Sequence, residues 1–417
     1  MKLLVGNPKI DPNSSDSDGL TPLSYAAKWG REDLMKRFLK RWDINPDLPD
    51  NSGRTPLSHA ASAGHGGVAD LLLGCGNINS NSLDSEGQTP LSDTASRGHE
   101  GVVKLLLGRG DVNPNSLDRN GRHPLSYAAA GAHGGVVKLL VESPDIDPNS
   151  SDSDGLTPLS YVAQWGREDL VKLYLKHWGV NPDLSDSDGR TPLSFATSTG
   201  HEGVVKLLLG HGDVNPDSSD SSGRTPLSYA AISGAPGVAK LLLESHSVNP
   251  NPPESSGRTP LSFAASRGHE YVVKVLLQHG GADPNSSDGN GLTPLSYAAI
   301  TGAPGVVKLL LESHNVNPNS PDSRGRTPLS FAAFRGHQGV VNVLLGCQDV
   351  NPNLPDHNNQ TPLSYATMMR REGVVRLLSE AGNSNSKPLE KPNQSHSYLA
   401  LLLIPALALV SGFLLSF

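Results

Sequence analysis

Residues 189–222 read GRTPLSFATSTGHEGVVKLLLGHGDVNPDSSDSS, and this stretch decides the fold. Thr191 suits a helix N-cap, and Pro192 suits the first turn, where a missing N–H leaves nothing unsatisfied. A short helix over 193–199 then stops at Gly200, the residue that most readily turns left-handed. A second helix over 202–209 carries Val204, Val205, Leu207, Leu208 and Leu209 as a broad apolar face. Beyond it, Asp213-Val-Asn-Pro-Asp217, Asp220 and Gly223 are turn formers that predict an exposed, hairpin-like connection. One unit is thus helix, turn, helix and projecting loop. It is too small to bury its own apolar faces and must stack on copies of itself.

The copies are present. Thr-Pro-Leu-Ser begins at Thr21, Thr55, Thr89, Thr157, Thr191, Thr225, Thr259, Thr293, Thr327 and Thr361, with His-Pro-Leu-Ser at His123 in the one gap. Every interval is 34 residues, so residues 21–382 hold eleven units in register. Residues 1–20 align with a second helix and loop alone, because Met1-Lys-Leu-Leu-Val matches Val137-Lys-Leu-Leu-Val four repeats later. Lys28-Trp-Gly-Arg-Glu-Asp-Leu likewise returns as Gln164-Trp-Gly-Arg-Glu-Asp-Leu, a sign of block duplication. The predicted fold class is all-α, an α-solenoid of eleven stacked helix-turn-helix repeats with projecting loops. Its length is about 100 Å if neighbouring helices sit 8–10 Å apart.

The motif TPLSYAA followed by GH, VVKLLL and DVNP resembles the ankyrin repeat, in the variant abundant in filamentous fungi, over residues 1 to about 382. Two departures stand out. The period is 34 rather than 33, with the extra residue in the loop. The family's His after Thr-Pro-Leu is Ser here (Ser24, Ser58, Ser92 and onward), so one hydrogen bond between repeats must be made differently or lost. The resemblance implies a binding protein that contacts partners through loop tips and through the two residues before the mid-unit glycine. Candidates on that row are Lys28, Trp29, Arg97, Gln164, Trp165, Arg267, Phe334 and Arg335. Trp and Arg are the types most enriched at interface hot spots, and all four tryptophans (Trp29, Trp42, Trp165, Trp178) fall in the two duplicated units.

Composition narrows the function. The net charge of −7 argues against nucleic acid as partner. Two cysteines, eight repeats apart, exclude a disulfide scaffold or a Cys-rich metal site. No phosphate-binding loop, dinucleotide fingerprint or H-E-x-x-H motif occurs. His65, His99, His201, His269 and His337 recur at one repeat position, which points to a shared structural role rather than to catalysis. The expectation is a non-enzyme with no catalytic, cofactor-binding or metal residues and no small-molecule substrate. Tyr25, Tyr127, Tyr161, Phe195, Tyr229, Phe263, Tyr297, Phe331 and Tyr365 also share one position, read as core packing rather than base stacking. Arg54, Arg122, Arg190, Arg224, Arg258 and Arg326 precede the Thr-Pro or His-Pro, with Asp50, Asp118, Asp186, Asp220, Glu254 and Asp322 four residues earlier. The expectation there is a charge-compensated edge.

After Gly382 the repeat stops. Residues 383–397 read as a flexible polar linker. Residues 398–417 carry no charge and are long enough, as a helix, for about 30 Å of hydrocarbon. Tyr398, Leu401, Leu402, Leu403, Ile404, Leu407, Leu409, Val410, Phe413, Leu414, Leu415 and Phe417 would face lipid in this expected transmembrane helix. The functional expectation is a membrane-anchored scaffold with its repeats in the cytosol, binding another protein. The alternatives are a GPI-anchored surface recognition protein, or a fragment of a larger signalling protein whose effector lay upstream.

Overall fold

A computed structural model describes residues 11–41, 43–177, 179–245, 248–279, 281–313 and 315–384. The expected segment 398–417, residues 385–397 of the linker, residues 1–10 and two tryptophans, Trp42 and Trp178, lie outside the described residues. Among those described there are twenty-two helices in eleven pairs and no strand, from Pro22–Lys28 with Glu32–Phe38 to Pro362–Met368 with Glu372–Ser384. The last helix runs two residues past the expected start of the linker. No helix among the described residues is long and apolar enough to cross a membrane.

Each first helix starts where Thr-Pro predicts. In the prototype unit it spans Pro192–Thr199, and the Oγ1 of Thr191 accepts the Ser194 N–H at 3.3 Å. The Ser hydroxyl pairs with the same Thr hydroxyl, as Thr21 does with Ser24 at 3.0 Å. Serine in place of the expected histidine therefore closes the cap within its own unit. In the exceptional unit His123 caps instead, its Nδ1 accepting from the N–H groups of Leu125 and Ser126. Its Nε2–H then reaches the Ser150 carbonyl at 3.2 Å, and burial pushes its pKa below the ordinary value.

The link between repeats that serine cannot make comes from the mid-unit histidine. His65, His99, His133, His201, His269 and His337 bond through Nε2 to a main-chain carbonyl of the preceding unit, those of Lys28, Ser62, Ser96, Gln164, Ile232 and Ile300, at 3.0–3.3 Å. Each ring sits beneath the left-handed glycine of that preceding unit. A Cβ on Gly64 (φ +73°) would lie 2.6 Å from the Nδ1 of His99. Ala132, which holds this left-handed position without being glycine, is not followed by a histidine at the matching place. Arg167 stands there after Ala132 and donates to its carbonyl at 2.7 Å.

The helices form two layers, first helices on first helices and second on second, and the first-helix layer is the more closely spaced. Its contacts are small, Ala26-Ala27 and their equivalents, while the second helices meet through valine and leucine. The stack therefore bends toward the first helices, whose outer ends line the inner face. Leu23, Leu57, Leu91, Leu125, Leu193, Leu227 and Leu261 are wholly buried between the layers. In the prototype second helix Val204, Val205 and Leu208 are buried, but Leu207 and Leu209 are half-exposed, a narrower apolar stripe than the sequence suggests.

The loops are stitched by asparagine. The Nδ2 of Asn81 donates to the Asp111 carbonyl at 2.6 Å while its Oδ1 accepts the Asn113 N–H at 2.7 Å. Asn115, Asn149, Asn251, Asn285 and Asn319 repeat this two-way link. Asp47, Asp183 and Asp217 occupy the same position, and each has a buried Oδ1 with no hydrogen-bond partner. Burial raises the pKa of Asp47 and Asp183, whose carboxylates also lack the Nδ2 donor that asparagine supplies at this position. A raised acid weakens the fold above its unfolded value near 3.8 and stops doing so once protonated. Asp183→Asn should therefore stabilise the chain by about 1–2 kcal/mol at pH 7, the cost of one unsatisfied buried polar group. The gain should shrink toward pH 4 when urea unfolding is followed at both pH values.

Candidate partner-binding surface

The row before the mid-unit glycine lies at the outer end of the first helices, facing solvent. Trp29 and Trp165 are the C-caps of the helices Pro22–Lys28 and Pro158–Gln164. They are 67% and 59% exposed, which is unusual for the largest apolar side chain. Lys28, Arg97, Gln164, Arg267 and Arg335 are exposed beside them. Phe334 differs: it is half-buried, with its ring edge-on to Tyr365 of the next unit at 5.9 Å. It is thus partly committed to packing. The two tryptophans are four units apart, about 40 Å at 8–10 Å per unit.

Beside this row runs the aromatic row, and its hydroxyls do more than pack. The OH groups of Tyr25, Tyr127, Tyr161, Tyr229, Tyr297 and Tyr365 donate to the Oδ2 of the aspartate nine residues earlier, at 2.5–2.7 Å. The Oδ1 of the same aspartate accepts two loop N–H groups, as Asp220 does from Ser222 and Arg224. One carboxylate thus ties loop to helix. Burial and this aspartate together push the tyrosine pKa values up, that of Tyr365 to about 12. His59 makes the same bond to Asp50.

Eleven helix pairs with this cap position and this loop, six of them with the histidine link, constitute one repeat throughout. A family model for ankyrin repeats, three copies long, matches residues 1–82, 70–152, 135–220, 159–253, 204–288, 246–322, 279–356 and 314–388. The chain belongs to the ankyrin repeat family. Comparison with curated proteins found no significant match.

In these ankyrin repeats the arginine row is not uniformly compensated, a correction to the expectation from sequence. Where the aromatic is phenylalanine, no hydroxyl competes for the aspartate. Arg190 then pairs with Asp186 at 2.8 Å and Arg326 with Asp322 at 2.7 Å. Arg54 reaches into the next repeat to Asp93 at 2.7 Å, and Arg122 to Asp152 at 3.7 Å. Arg224 and Arg258 have no carboxylate within ion-pair distance among the described residues. Tyr229 occupies the Oδ2 of Asp220, and in the next repeat Glu254 replaces aspartate and turns to the Ser256 hydroxyl.

Two grooves, about 250 Å³ beside Tyr271 and about 480 Å³ beside Cys347, are open to solvent. His269 in the first is held by the Ile232 carbonyl. Cys75 and Cys347 are free and half-buried. Among the described residues no group of three or more His, Cys, Asp or Glu side chains is placed to hold a metal ion.

Proposed function

We propose that the chain is a protein-interaction scaffold whose inner face, centred on Trp29 and Trp165, captures a partner protein. Ankyrin repeats generally bind other proteins, and the family membership supports that much directly. The observation that carries the finer reading is the exposure of both tryptophans at equivalent C-caps, on units otherwise well packed. A rigid stack holds them in place before binding, so little ordering entropy is lost when a partner arrives. Replacing both with alanine should weaken capture of a purified partner at least 30-fold, the scale of two hot-spot residues. Unchanged affinity in a titration would overturn the hot-spot assignment.

Residues 398–417 complete the proposal as a membrane anchor that leaves the repeats in the cytosol. The uncharged twenty-residue run supports it. Alkaline extraction with protease protection tests it: a chain ending at Ser397 should become extractable, and the full chain's repeats should be digested. Protected repeats would favour surface display instead.

A further inference from the structure

We propose that the inner face between Arg224 and Tyr297 is a carboxylate-binding strip that takes an acidic segment of the partner protein. This deepens the scaffold reading and rests on it. Arg224, Phe263, Arg258 and Tyr297 form one continuous stack across three repeats. The Arg224 guanidinium lies 5.9 Å from the Phe263 ring centroid, and Arg258 lies 4.3 Å from the centroids of both Phe263 and Tyr297. The rings hold the guanidinium planes in place without neutralising them.

Both guanidiniums lack part of what they need. Among the described residues, Arg224 and Arg258 are the two of the six loop-edge arginines without a carboxylate within 4 Å, and they are consecutive. The Nε–H of each is enclosed and has no acceptor. Arg258 bonds only to neutral oxygens, the Ser266 hydroxyl at 2.7 Å and the Ser262 carbonyl at 3.5 Å. Exposed Arg267 adds a third cation one residue beyond Ser266, also with no ion pair among the described residues. Asp220, Glu254 and Asp288 lie along the same edge, but they are bonded to Tyr229, Ser256 and Tyr297 rather than to these arginines.

The geometry points to a peptide rather than a nucleic acid. The flanking arginines Arg190 and Arg326 already carry their own aspartates, so the attractive field ends after two repeats. A long polyphosphate would run from the strip onto compensated and acidic ground. An extended peptide rises about 3.3 Å per residue, so three residues match a repeat spacing of about 10 Å. A segment with a carboxylate every third residue would meet successive guanidiniums, each able to take it in the two-pronged geometry that arginine offers.

The test uses the full chain in detergent and a fluorescein-labelled twelve-residue peptide, (Glu-Gly-Ser) repeated four times, with its Gln-for-Glu counterpart. At low salt the Glu peptide should bind at least tenfold more tightly than the Gln peptide, and the difference should fade as salt is raised. Because this contrast changes only the peptide, it does not depend on any variant folding. Arg224→Gln with Arg258→Gln should abolish the preference, whereas Arg224→Lys with Arg258→Lys should keep part of it. Equal binding of the two peptides, absence of binding, or a preference surviving the double Gln variant would overturn the strip. So would a twelve-residue oligothymidylate that displaces the Glu peptide at lower concentration. The Trp29→Ala, Trp165→Ala chain should keep the peptide preference, since those residues lie on other repeats. Loss of partner capture there with the preference intact separates the tryptophan reading from this one.

Discussion

Gly64→Ala is expected to destabilise the stack by about 3 kcal/mol, from left-handed strain plus overpacking, while Gly200→Ala at the equivalent position costs about 1 kcal/mol. Both glycines have positive φ, +73° and +79°, so both substitutions carry the backbone penalty. Only Gly64 has a histidine beneath it. Its new methyl would lie 2.6 Å from the Nδ1 of His99, forcing the ring away and breaking its bond to the Ser62 carbonyl. At Gly200 the nearest atom is the Ala235 methyl at 3.8 Å, an ordinary contact. Urea midpoints of the two variants should therefore separate clearly. Adding His99→Ala to Gly64→Ala should recover part of the loss, a coupling that a double-mutant cycle measures. Equal effects at the two glycines would mean that the histidine does not lock the repeats together.

Leu193→Ala should cost about 3–4 kcal/mol, and the chemically identical Leu363→Ala in the last unit only about 1 kcal/mol. Leu193 is fully buried in the middle of the stack, with a repeat on either side. Leu363 is half-exposed in the last repeat among the described residues. In a solenoid each unit leans only on its neighbours, so a central cavity weakens two interfaces and an end cavity weakens one. Circular dichroism melts should show Leu193→Ala broadening the transition as the two halves uncouple. The end variant should mainly fray the last repeat.

Much of the fold is legible because each boundary is set within its own unit. Thr191 and Pro192 start a helix and Gly200 ends it through local backbone preferences, and the apolar face of 202–209 identifies the second helix. What the sequence does not display are the contacts that join units. The carbonyl that receives His65 lies 37 residues earlier and is carried by a main chain that any residue supplies. The Tyr–Asp tie spans nine residues across a turn, and its spacing fits neither helix nor strand. The acidic residue four residues before each arginine neutralises it on paper. In space a tyrosine hydroxyl takes the same oxygen, which leaves Arg224 bare. Of the candidate surface, Trp29 and Trp165 are exposed where the repeat register puts them, and Phe334 is the exception, because Tyr365 of the following unit is within reach of its ring.

The central claim is that a partner lies along the inner face, and site-specific photo-crosslinking tests it most directly. A photoreactive residue placed singly at Trp29, Arg97, Trp165 or Arg267 probes the first-helix row, and one at Lys104, Lys206 or Lys308 probes the exposed side of the second helices. The inner-face account predicts covalent adducts with a purified partner from the first set and none from the second. Adducts confined to the lysine positions would contradict it and place the binding surface on the opposite side of the stack.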